Sequence, residues 1–109
     1  MKVNQIGDFI NGWFIGPFEP SLFKTEHFEC AVKKYMAGSK EQLHYHKIAK
    51  EFTIIISGVV KMNNITFEGN TIIEIDPGES TDFEAITDVT TLVIKVPAVR
   101  NDKFLIKKA

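Results

Sequence analysis

Hydrophobic and polar residues alternate along much of this chain with a period of two, the spacing of a strand that turns one face inward. Phe28, Cys30 and Val32 interleave with Glu29, Ala31 and Lys33 and predict a half-buried strand ending near Tyr35. Gly38 opens a turn, Gln42 to His46 predicts the next strand, and Phe52 to Ser57 is an apolar, β-branched run closed by Gly58. The successive Ile54, Ile55 and Ile56 in that run imply burial on both faces. Val59 to Met62 and Ile65 to Phe67 flank Asn63-Asn64, residues that tolerate positive φ and suit a two-residue hairpin turn. Gly69-Asn70 marks another turn, and Thr71 to Ile75, Thr81 to Ala85 and Thr91 to Val96 complete the series, with Pro77-Gly78 and Thr87-Asp88 between them. No segment carries a helical period of useful length and no internal repeat is evident. Short, evenly spaced strands with glycine, proline and asparagine punctuation predict an all-β sandwich or barrel.

The densest candidate chemistry lies in one stretch, GSKEQLHYHKIAKEFTIIISG. His44 and His46 stand two residues apart on a predicted strand, so both rings share a face, roughly 6–7 Å apart along the backbone, and can reach one ion. Tyr45 points the other way. Glu51 follows a short connection, at the start of the next strand, where an antiparallel neighbour would bring its carboxylate against the two rings. Two imidazoles and one carboxylate, with open positions for water or substrate, suit Fe(II) and related divalent metals. The alternative for Glu51 is a surface pairing with Lys47 or Lys50. His27, isolated among charged and aromatic neighbours, reads as structural.

Gly38, His44, His46, Glu51 and Gly58, in type and spacing, resemble the first conserved motif of the cupin superfamily. The stretch GNTIIEIDPGEST, from Gly69 to Thr81, looks like the second cupin motif, in which a glycine turn leads through a strand and a proline-glycine turn to a histidine; here that last position holds Thr81. The resemblance implies a double-stranded β-helix, or jelly-roll, cupin barrel over residues 1–109. Its core would cover about 35–96, with an N-terminal strand segment at 9–35 and a short tail at 97–109. It also implies a divalent metal ion (Fe, Mn, Ni or Zn) on His44, His46 and Glu51, and a homodimer. A neutral hydroxyl at Thr81 is a poor ligand for such an ion, so water or an external ligand would take the fourth position. Asp82 is a possible substitute, provided that a bulge shifts the strand phase and turns its carboxylate inward.

Composition narrows the field without adding chemistry. A chain of 109 residues, 44 % hydrophobic, fits one domain with a modest core. Thirteen basic and fourteen acidic residues give a net charge of −1 with no long block of either sign, so neither a nucleic-acid nor a membrane surface is expected. The single cysteine, Cys30, reads as a buried structural thiol and, with no leader-like N-terminus or apolar span, suggests a cytoplasmic protein. At the N-terminal side, Trp13, Phe14 and Phe18 either cover an open end of the barrel or form a dimer contact. The tail from Asn101 to Ala109 shows no firm period.

Three functions remain open on this reading. One is a metal-dependent enzyme that lacks a committed acid or base, with Tyr45, Lys47 and Asp82 nearby in sequence. Another is a metal-free module that binds a small polar molecule such as a sugar or a carboxylate. The third is an interaction protein with a remnant site.

Overall fold

The computed structural model describes residues 1–107, and the last two positions of the predicted tail lie outside the described residues. Ten strands run in chain order: β1 (Trp13–Ile15), β2 (Glu29–Tyr35), β3 (Lys40–His46), β4 (Lys50–Ser57), β5 (Val59–Met62), β6 (Ile65–Glu68), β7 (Thr71–Ile75), β8 (Thr81–Ala85), β9 (Val89–Val96) and β10 (Lys103–Leu105). Two single turns of 3-10 helix, Ile6–Asp8 and Ile10–Gly12, precede them. Every strand pairing is antiparallel. The strands form two five-stranded sheets, β1-β2-β9-β4-β7 and β10-β3-β8-β5-β6, which face each other as a jelly-roll sandwich. Among the described residues the two sheets share no strand, so the predicted barrel is an open sandwich.

The predicted strands all form, with ends that differ by two residues at most. The hairpin at Asn63-Asn64 has φ of 49° and 64°, the twisted turn that its sequence favours. The tail contributes β10, an edge strand on β3 that its three residues were too few to announce. One expectation is corrected at the isoleucine run. Ile55 is fully buried, whereas Ile56 is 50 % exposed, because β4 covers the core with one face only.

The space between the sheets has two chemical ends. Ile55, Val60, Met62, Ile75, Phe83, Ala85 and Val89 form the apolar core. Along β9 the inward positions then change from Val89 through Thr91 and Val93 to Lys95, so the sandwich becomes polar towards its other end. The outer face of the first sheet is apolar instead: Val32, Leu92, Ile54 and Ile72 are register partners in one row, and Ile72 is 65 % exposed.

Candidate functional site

The polar end of the sandwich encloses a cavity of about 210 Å³, lined from both sheets. His44 and His46 enter from β3 and Glu51 from β4, so the three ligand candidates converge across the gap between the sheets. Both histidines are buried, and their rings lie 5.4 Å apart, nearly perpendicular. His46 Nε2 stands 3.5 Å from Glu51 Oε1, too far for a well-made hydrogen bond, and has no hydrogen-bonding partner.

The backbone decides how each ring is used. His44 Nδ1 lies 2.9 Å from the Gln42 carbonyl, and His46 Nδ1 lies 3.0 Å from the Asp102 carbonyl. A carbonyl only accepts, so each Nδ1 carries a proton, and a ring in its neutral form has its lone pair on Nε2. Histidines held by a metal are oriented by the same kind of bond.

Asp102 also fixes the corner between β3 and β4. Its carboxylate accepts from the backbone N–H groups of Lys47, Ile48 and Ala49 at 2.9–3.2 Å. Burial pushes its carboxyl pKa up, but those N–H groups, Ala49 first, outweigh this and hold it below the usual value. Burial likewise works against the Glu51 carboxylate; His46, the Lys95 ammonium and the Thr53 hydroxyl, which donates to Glu51 Oε2 at 2.8 Å, bring its pKa below normal. Glu51 is therefore an anion inside the cavity.

Asp82 does not join this group. Thr81 faces the cavity beside His44, its register partner, and Asp82 follows on the opposite side of β8. There its Oδ1 accepts from the Asn63 N–H at 2.7 Å. The bulge that might have turned it inward lies in β3 instead, between Glu41 and His44. That extra residue lets Glu41 and His44, three positions apart, line the same cavity. Tyr45 and Lys47 lie outside it as well: the Tyr45 ring stacks on Phe104, and the Lys47 ammonium sits 4.4 Å above the same ring. Lys50 pairs with Glu74 and Asp76, which leaves Glu51 to the cavity.

Several lining residues were not singled out by sequence. Lys33, Lys95 and the exposed Lys103 line the cavity with Tyr35, Glu41, Thr53 and Thr91. Tyr35 donates to Glu41 Oε1 at 3.2 Å, and burial, together with that carboxylate, pushes its phenol pKa up. Trp13 lines one side of the cavity, and Phe18 lies edge-on to it at 6.3 Å. The phase of β2 was the available signal. Ala31 and Lys33, not Cys30 and Val32, share the side of Glu29, whose register partner Lys95 lines the cavity.

The spacing of His46 and Glu51 suits a shared metal ion. Two ligands each about 2.1 Å from one ion would stand roughly 3.0–3.4 Å apart, close to the His46–Glu51 separation. Among the described residues, no three His, Cys, Asp or Glu side chains meet as a ready-made cluster. The fit therefore rests on the paired His46 and Glu51 and on the free Nε2 of His44.

No family model matches the sequence, and no curated protein matches it. Solved structures do resemble the fold. A double-stranded β-helix protein from Klebsiella pneumoniae superposes with a TM-score of 0.72 at 14 % identity, over 98 % of this chain and 93 % of that one. The DMSP lyase of Ruegeria pomeroyi gives 0.67 at 17 % identity over 81 % of this chain, which spans 47 % of the lyase. A cupin-2 domain protein from Shewanella frigidimarina gives 0.58 at 17 % identity, over 66 % of this chain and 72 % of that one.

Proposed function

We propose that this chain, whose fold is that of the cupin proteins, holds a divalent metal ion on His44, His46 and Glu51 and uses it to bind or transform a small polar molecule. The observation that carries this reading is the pair of carbonyl-tied histidines, whose Nε2 lone pairs are left for a ligand while the buried Glu51 supplies the anion. A buried imidazole nitrogen with no partner is costly, and coordination would satisfy it. The metal, when bound, would act as a Lewis acid on a substrate oxygen. The other groups belong to the chain itself. Trp13 forms one wall, and the Tyr35–Glu41 pair offers a proton donor and acceptor within the same cavity. The name of the Ruegeria relative supports an enzyme on this scaffold, though one fold serves many chemistries.

A metal-free binding module is the second reading, favoured by Thr81 opposite His44 and by the lack, among the described residues, of a preassembled three-donor cluster. Competition between the protein and a chelating dye for Zn(II) and Mn(II) separates the two. Glu51→Gln is expected to weaken metal binding by about tenfold or more, with the unfolding midpoint little changed. Asp82→Asn should leave it unaltered. Equal metal affinity in native protein and Glu51→Gln would remove Glu51 from the ligand set.

The homodimer is likewise proposed, on the outward apolar row of the half-buried Val32, Leu92 and Ile54 and the exposed Ile72. Light scattering on native protein should give twice the chain mass and Ile72→Glu a single chain; a native monomer would refute it.

A further inference from the structure

The cavity gathers three lysines that a two-histidine, one-carboxylate metal site does not need. Lys33 comes from β2, Lys95 from β9 and Lys103 from β10, where it is the register partner of His46. Among the described residues none of the three forms an ion pair, whereas Lys24, Lys40 and Lys50 all do. Lys33 Nζ and Lys95 Nζ lie 5.1 and 5.2 Å from the centre of the Trp13 ring, which brings two ammonium groups to one wall. The lining carboxylates are Glu41 and Glu51, and Glu29, the register partner of Lys95 on the same side of β2 as Lys33, adds a third beside them, so three lysines balance three carboxylates before any metal is present. A divalent ion would leave an excess of two positive charges for an anionic ligand to meet.

A second observation points to a ligand in the same place. Thr91, the register partner of Lys33, is 1 % exposed, lines the cavity, and its hydroxyl has no hydrogen-bonding partner. Buried polar groups are almost always satisfied, and a hydroxyl can donate to a carboxylate oxygen that the lysines of the same cavity would attract. The cavity has the volume of about seven waters at roughly 30 Å³ each, room for a carboxylic acid of a few carbons and too little for a large ligand.

We propose that Lys33, Lys95 and Thr91, with Lys103 on the facing sheet, form a carboxylate subsite, so that the small polar molecule of this cavity is an organic acid. The proposal rests on the cavity reading above but not on the metal. Lysines cradle the carboxylate while Nε2 of His46 and Glu51 stay at the neighbouring end, so a bound acid would place its next substituent towards them.

Calorimetric titration with lactate and malonate, on chelator-treated and on Zn(II)-loaded protein, tests it; lactamide and malonamide provide the same shapes without charge. At least one acid is expected to bind to the chelator-treated protein, and neither amide should. Lys33→Gln and Lys95→Gln should each weaken binding by tenfold or more. Lys103→Gln, on an exposed edge strand where folding is least at risk, should weaken it by a smaller factor. Lys61→Gln, on the outer face of β5, should change nothing. No acid binding in either form, equal binding of acid and amide, unchanged affinity in all three cavity variants, or preference for inorganic phosphate over both acids would overturn the subsite. Metal content of the same samples keeps the two ideas apart. Acid binding without metal retention sustains the subsite and refutes the metal reading, and the reverse result does the opposite.

Discussion

Asp102→Ala is expected to lower the unfolding free energy by about 2–4 kcal/mol, the scale of charge-assisted hydrogen bonds lost together with the cost of leaving their donors unpaired. The carboxylate accepts from three consecutive backbone N–H groups, and Ala49 among them is buried, so no water can replace the lost acceptor there. The damage should also reach the site, because the Asp102 carbonyl holds His46 Nδ1. Chemical denaturation should show an intermediate loss for Asp102→Asn, which keeps one acceptor oxygen without the charge. The pH dependence has a fixed sign. The folded pKa lies below the ordinary 3.8, so the stabilisation is present above that value and is lost as pH falls through the lower folded one. A destabilisation below 1 kcal/mol would show that the corner between β3 and β4 does not depend on this side chain.

Gly58→Ala is the second large effect expected. Gly58 has φ of +95°, and a Cβ there would lie 2.3 Å from the Asp88 carbonyl oxygen and 2.9 Å from Val89 Cγ2. The left-handed backbone alone costs a non-glycine residue about 1–2 kcal/mol, and the collision with main chain should bring the total to about 3 kcal/mol or more. Gly38→Ala isolates the first part. Its φ of +90° is similar but nothing lies within 4 Å of the added carbon, so only the backbone cost of about 1–2 kcal/mol should appear. Thermal unfolding of the two variants side by side measures the difference, and equal losses would contradict the close approach at Asp88.

These two glycines bracket the stretch that announced the fold, and they show why so much was legible. Strand alternation, turn residues and the motif spacing are local properties, and each predicted strand between Phe28 and Val96 forms. The pairing of His44, His46 and Glu51 in one cavity was legible for the same reason, since i and i+2 on a strand share a face. What was not legible depends on phase and on distant chain. Lys33 and Lys95 face inward because the first sheet turns its more apolar rows outward, opposite to the usual expectation that apolar residues face the core. Glu41 enters through a bulge that only pairing with β8 defines. Asp102, 56 residues from the ring it orients, lies in a tail without a firm period. Asp82 illustrates the converse, as its sequence position allowed an inward role that the regular alternation of β8 denies.

The account's central claim is that His44, His46 and Glu51 hold a divalent ion, and elemental analysis of purified, untagged protein tests it most directly, with the double variant His44→Ala, His46→Ala prepared in parallel. The expected result is close to one Fe, Mn, Ni or Zn per chain in the native protein and none in the double variant, with both folded by circular dichroism. Native protein that holds no metal after incubation with Fe(II), Mn(II), Ni(II) and Zn(II) would contradict the claim and leave a cavity that binds its ligand through lysines and hydrogen bonds alone.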